Sequence, residues 1–184
     1  LVGSEMCIRD RVLAWYAQIH GLIPTCLRYF NASGASAERG EHHRVETHLI
    51  PNVLLTALGQ RPQVDIFGDK HATPDGTCIR DYIHVRDLAS AHILALHRDK
   101  PGAFNVGTGN GHSVQQVVEV AKKVTRKNIP VRIQPARAGD PPALVAAANK
   151  LQRELGWKPV HSGLEEILSS AWSWHQTHPQ GYSD

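Results

Sequence analysis

Apolar and polar positions alternate with two different periods along this chain, and the switches between them mark its elements. Val12, Leu13, Trp15, Tyr16 and Ile19 fit a buried helix ending near Gly21. Residues 22–30 form an apolar run with β-formers and read as a buried strand. A polar, glycine-bearing loop covers 31–44. Thr47 can cap a helix through Leu58, with Pro51 in its tolerant first turn and Gly59 at its end. Residues 64–67 and 103–106 read as short strands. Ser113 and Gln116 have capping-box spacing, and Val114, Val117, Val118, Ala121 and Val124 form one helical face. A short strand over 130–133 and a loop through Pro142 follow. A helix over 149–155 ends at Gly156. The last helix begins after Ser162, with Leu164, Ile167, Leu168, Ala171 and Trp172 facing inward.

The stretch 73–96 joins these parts. Pro74-Asp75-Gly76 is a turn signal, 82–85 a short strand, and Asp87 a candidate N-cap. Leu88, Ala91, Ile93, Leu94 and Ala95 make the apolar side of the helix that follows. Arg80 lies between loop and strand, where its bidentate fork suits a phosphate or carboxylate. From this stretch alone, a surface ion pair with Asp81 is the plainer reading.

Strands alternating with helices argue an α/β fold. Only one strand reads as fully buried, so the chain looks like the back half of something larger. The first eleven residues, LVGSEMCIRDR, show neither period and read as a non-native tract, so fold reasoning starts at Val12.

Composition narrows the function classes. A net charge of +3 with scattered basic residues argues against nucleic acid. No apolar run approaches the ~20 residues of a membrane span, and no signal peptide is visible. Three cysteines, Cys7, Cys26 and Cys78, lie far apart and fit a reducing cytoplasm better than a disulfide framework.

Candidate chemistry is sparse. Gly107-Thr108-Gly109-Asn110-Gly111 follows a strand, but its spacing is GxGxG and no acidic residue lies about 20 positions on, so it reads as a strand-to-helix turn. Twelve histidines include the pair His42-His43, yet no HExxH or Cys/His cluster appears, and no metal is expected. His84 reads as a polar-face strand residue. Arg137 lies in a second loop and could converge with Arg80 on one diphosphate. No Tyr-x-x-x-Lys pair occurs: Tyr16, Tyr29 and Tyr82 are followed four positions on by His20, Ser33 and Arg86.

From residue 12 onward, LRYFNASGA, THLIP, VDIFGD, PDGTCIRDYIHVRDLA, FNVGTGNGHSV, RAGDPP, ELGWKP and HPQGY occur in the order and spacing of the UDP-glucose 4-epimerase family. The chain resembles this branch of the extended short-chain dehydrogenases/reductases. The resemblance implies a C-terminal UDP-sugar-binding domain, residues 12–184, with the tail of an NAD-binding Rossmann domain whose N-terminal part is missing. It implies Tyr29 and Phe30 beside the nicotinamide of NAD. It implies Asn31 on the substrate, the Leu49 backbone on a phosphate, and Arg80 and Arg137 on the diphosphate. Asp65, Ile66 and Phe67 would border the uracil; Tyr82 and Asp140 would flank the nucleotide, with Asp140 at the ribose. His48 replaces the asparagine of some members, and Leu144 the tyrosine that closes their sugar pocket.

The family interconverts UDP-glucose and UDP-galactose through a 4-keto sugar. A tyrosine, activated by the lysine four residues on, takes the hydroxyl proton. With that pair and the NAD glycine motif absent, the resemblance implies a chain inactive alone and a homodimer when complete. Other readings of the same residues are a stand-alone nucleotide-sugar binding module, a non-functional fragment, and another nucleotide-sugar epimerase or dehydratase.

Overall fold

The computed structural model describes residues 4–182, with side chains from Ile8 onward. It opens on α1 (Ser4–His20), then β1 (Thr25–Tyr29), β2 (Asn31–Ser33) and α2 (Leu49–Ala57). After these come β3 (Val64–Phe67), β4 (Ile79–His84), α3 (Val85–Leu96), β5 (Gly102–Val106) and β6 (Gly111–Ser113). The rest is α4 (Val114–Thr125), β7 (Val131–Gln134), β8 (Ala143–Leu144), α5 (Asn149–Leu155) and α6 (Leu164–Thr177). This is the expected α/β order. No helix among the described residues is long and apolar enough to cross a membrane.

The strands pair in three groups, mostly in parallel. β1 runs beside β5, with Leu27 opposite Phe104 and Tyr29 opposite Val106. β4 pairs with β2 and β8 in parallel and with β6 antiparallel. β3 pairs with β7 in parallel. One core gathers Val53 and Leu54 of α2, Val117, Val118 and Ala121 of α4, and Ile167 and Leu168 of α6. The second packs Ile83, Ala91, Phe104 and Val106 against Leu151 and Trp157. The Trp157 indole N–H donates to the Asp87 carbonyl and the Ser90 hydroxyl, which satisfies its one polar atom inside the core.

α4 follows its sequence closely. The Ser113 hydroxyl accepts from the Gln116 N–H, and the Gln116 side chain accepts from the Ser113 N–H. Asp75 of the preceding turn binds the Ser113 hydroxyl as well as the Thr77 N–H and hydroxyl. The turn is thereby fastened to the start of α4. Gly76 closes it at φ +78°, where an added Cβ would stand 2.0 Å from the Asp69 carbonyl oxygen.

Several expectations need correction. Residues 4–11, read as showing neither period, are helical as the start of α1, and residues 1–3 lie outside the described residues. That helix is exposed rather than buried: Trp15 is 69% and Ile19 67% accessible. Ile8, Val12, Trp15, Tyr16 and Ile19 share one helical stripe, and the whole stripe is exposed among the described residues. β1 is shorter than residues 22–30 and only partly buried, since among the described residues it has one strand neighbour. Ile93 faces solvent. The N-cap of α2 is His48, not Thr47, and that of α3 is His84, not Asp87. Asp87 is buried in the first turn of α3, where it accepts from the Val160 N–H, the His161 N–H and the Ser162 hydroxyl.

His84 is also fully buried rather than on a polar face. Its Nδ1 accepts from the Arg86 N–H at 3.1 Å, and its Nε2 lies 3.0 Å from the Ser170 hydroxyl. That hydroxyl donates to the Ile167 carbonyl, so His84 must be the donor to it, and the Nδ1 lone pair stays free for the cap. Burial, the dominant cause, holds the His84 pKa below the ordinary imidazole value. The unfolded chain takes up this proton near pH ~6.5, so stability should be lost as pH falls from there towards the lower folded value. His175, depressed by burial, acts in the same direction, and Glu41, raised chiefly by burial, opposes it. His84→Asn keeps a capping acceptor but cannot titrate. It should flatten the slope of stability between about pH 7.5 and 5.5. Urea denaturation across that range checks this, and an unchanged slope would remove His84 from the titration.

Candidate functional site

Topology brings residues from widely separated stretches of the chain onto one cavity of about 700 Å³. Of the residues assigned by resemblance, all but Tyr29 and Leu144 line it. Its wall is built from the end of β1 and β2, the start of α2, strand β3, strand β4 and the loop after β7.

Arg80 is the most constrained cation on this wall, with its side chain 16% exposed. One guanidinium nitrogen donates to the Ile79 and Pro141 carbonyls, each at 2.8 Å, and the other reaches Asp140 at 3.1 Å. The surface pair with Asp81 is therefore wrong. Successive residues of a strand point to opposite faces, so Arg80 and Asp81 cannot meet. Asp140 orients the Arg80 guanidinium instead. Arg137 is exposed and lies over the Phe67 ring, 3.7 Å from its centroid. The two arginines do line one cavity, although Arg80 sits in a strand and not a loop.

The start of α2 forms another part of the wall. His48 caps it through its backbone only, without a side-chain hydrogen bond. Leu49 and Ile50 open the helix with N–H groups that have no intrahelical partner, and Pro51 has none to satisfy. These N–H groups and the helix dipole favour an anion.

β3 alternates: Ile66 goes into the core, and Asp65 and Phe67 face the other side. Arg132 donates twice to the Asp65 carboxylate, which is chiefly why its pKa is lowered. Gln63 and Gln134 add one bond each. Tyr82 is buried in the cavity floor, and that burial keeps its phenol protonated far above the ordinary range. The Asn31 side-chain amide donates to the Asp81 carbonyl, which fixes Asn31 beside β4. Tyr29 is half exposed at the carboxyl end of β1, outside the cavity, with its hydroxyl 2.7 Å from His92 Nε2. Phe30 follows it on the wall. Leu144 is 39% exposed and pairs in register with Arg80 on β8, but lies off the wall.

Two features escaped the sequence reading. Asp81, fully buried, accepts from the Thr108 N–H and hydroxyl, the Gly109 N–H and the Ala146 N–H. The glycine turn thus holds an internal carboxylate rather than a phosphate. A Cβ at Gly107 would come within 2.8 Å of that carboxylate and 2.4 Å of the Ala146 Cβ. Second, Glu41, His43, Glu46 and His48 converge on the cavity wall. Their Glu-x-His-x-x-Glu-x-His spacing was the available signal, and no metal had been expected from the histidines.

Together the wall presents the guanidinium groups of Arg61, Arg80 and Arg137 and a helix start with no side-chain cap above an apolar floor. That combination suits a ligand with both an anionic and a flat apolar part.

The family model described as GDP-mannose 4,6 dehydratase matches residues 7–170. A UDP-glucose 4-epimerase of Halalkalibacterium halodurans is 51% identical over 98% of this chain and 56% of its own length. A crystal structure of a UDP-glucose 4-epimerase superposes with a TM-score of 0.92 at 46% identity, over 97% of this chain and 56% of that one. The Bifidobacterium longum enzyme, solved in complex with NAD+ and UDP, gives 0.89 at 35% identity, over 97% and 55%. The chain spans about half the length of the curated relatives it matches. It belongs to the extended short-chain dehydrogenase/reductase family, where it is similar to UDP-glucose 4-epimerases.

Proposed function

We propose that this chain carries the UDP-sugar-binding part of an NAD-dependent UDP-glucose 4-epimerase acting on UDP-glucose and UDP-galactose. The observation that carries the reading is the single cavity holding Arg80, Arg137 and the start of α2. Arg80, oriented by Asp140, and Arg137, resting on Phe67, hold the diphosphate. The Leu49 N–H meets one phosphate oxygen. Asp65, Ile66 and Phe67 border the uracil, Tyr82 closes the floor, and Asp140 also reaches the ribose. Asn31 and His48 stand towards the sugar, and Leu144 lies off the wall.

The exposed Tyr29 ring and neighbouring Phe30, at the carboxyl end of a parallel strand, fit one side of a dinucleotide site. When bound, NAD supplies the hydride acceptor for sugar C4. The chain contains no Tyr-x-x-x-Lys pair, so its own residues bind and orient substrate but do not move the proton. In this reading residues 12–184 are the substrate-binding portion of a cytoplasmic homodimeric enzyme. Genomic sequence upstream of Val12 tests that boundary, which both α1 and the family match reach past.

The experiment is calorimetric titration of the 184-residue chain with UDP, followed by incubation with UDP-galactose and NAD. Saturable one-to-one binding without sugar conversion is expected. No binding at millimolar UDP would overturn the assignment of the cavity, and conversion to UDP-glucose would overturn the proposed inactivity.

A further inference from the structure

We propose that Glu41, His43, Glu46 and His48 form a binding site for one divalent transition-metal cation, of the zinc class, on the wall of the cavity. The four residues offer two imidazole nitrogens and two carboxylate oxygens, all within 4.8 Å of one another. Three donor pairs are already close. His43 Nε2 lies 3.0 Å and His48 Nδ1 3.1 Å from the same Glu41 oxygen, and His48 Nδ1 is 2.8 Å from Glu46. Zinc bonds of about 2.0–2.1 Å place tetrahedral donor atoms about 3.3 Å apart, so small outward shifts would make room for the ion.

The plainer alternative is a set of surface His–Glu pairs. Three observations favour the cation. One carboxylate oxygen faces both imidazoles, and one imidazole nitrogen faces both carboxylates, so the four groups form one connected cluster within 4.8 Å and not two separate pairs. Both carboxylates are partly buried, while no Lys or Arg bridges either of them among the described residues. A divalent ion would neutralise both. The donors also come from two mechanically distinct parts: Glu41 and His43 lie in the loop after β2, whereas His48 is the backbone cap of α2. A bound ion would tie that loop to the helix start that lines the cavity. A mixed nitrogen and oxygen set suits Zn²⁺ or Co²⁺ better than the all-oxygen shells of Ca²⁺ or Mg²⁺.

Untagged full chain, stripped with chelator, is titrated with Co²⁺ and followed by visible absorption, then with Zn²⁺ in competition. One equivalent of Co²⁺ with four-coordinate ligand-field bands is expected, displaced by one equivalent of Zn²⁺. His43→Ala and His48→Ala should each weaken binding about 100-fold or more, as loss of a direct ligand exceeds the 10- to 100-fold cost of an outer partner. His97→Ala, remote in sequence and exposed, should leave binding unchanged. Far-UV circular dichroism and the metal-free thermal midpoint report whether each variant folds. Absence of the bands at one equivalent, or bands that persist in the folded His43→Ala/His48→Ala chain, would overturn the proposal. UDP titration of the metal-free chain reads the nucleotide site separately.

Discussion

Asp81→Ala is expected to lower the unfolding free energy by about 3–5 kcal/mol, since each buried donor left without a partner costs about 1–3 kcal/mol and water recovers some of that. Asp81 is fully buried and accepts four hydrogen bonds, three of them from backbone N–H groups of Thr108, Gly109 and Ala146. Those donors lie in two segments, the turn after β5 and the strand-like stretch after β8. Removing the carboxylate strands all three N–H groups in a space that Gly107 keeps tight. Asp81→Asn should cost less, because its amide oxygen can still accept while its NH₂ faces donors. Urea denaturation of the three chains checks the order wild type, Asn, Ala. A loss under about 1 kcal/mol for the alanine variant would mean that the turn satisfies its own backbone, the ordinary worth of one net hydrogen bond being of that size.

The Asp81 case also shows where sequence reading reaches and where it stops. Arg80 beside Asp81 invited an ion pair, yet the alternation of a strand already forbade it. The partners of Asp81 lie 27 to 65 residues away, and all but the Thr108 hydroxyl are backbone groups, which no side-chain pattern announces. Asp87 was misplaced as an N-cap for the same reason: its carboxylate serves residues 160–162, far along the chain. Local signals read well. The Ser113–Gln116 box, the buried face of α4 and the αL glycine after α5 are all present, because each depends on residues within one or two turns. α1 failed in the opposite way. Its apolar residues were legible, but burial needs a covering surface, and the described residues supply none for Trp15 or Ile19. The cavity could not have been assembled from spacing alone, since its wall runs from Phe30 to Asp140. Motif resemblance gathered those residues; topology then brought most of them onto one wall.

Arg80→Ala is expected to weaken UDP binding by about 10- to 100-fold, the equivalent of 1.5–3 kcal/mol for hydrogen bonds to a charged group. The side chain is mostly buried and held by the Ile79 and Pro141 carbonyls and by Asp140, so little rotamer freedom remains to be lost when an anion arrives. Among the described residues Arg137 has no such harness beyond the Phe67 ring, so Arg137→Ala should have the smaller effect. Arg80→Lys should recover only part of the affinity: a lysine delivers the charge but cannot bond two carbonyls, Asp140 and a phosphate with one planar fork. Alanine at Arg80 also releases Asp140, whose freed carboxylate would then repel the diphosphate, and this pushes the expected loss towards the upper end. Arg80→Ala/Asp140→Ala should therefore bind UDP better than Arg80→Ala alone. Calorimetry on the four variants, with thermal midpoints measured beside it, checks both the size and the order. Unchanged UDP affinity in a folded Arg80→Ala chain would take Arg80 out of the site, and a double variant weaker than the single would show that the ribose contact of Asp140 outweighs its repulsion of the diphosphate.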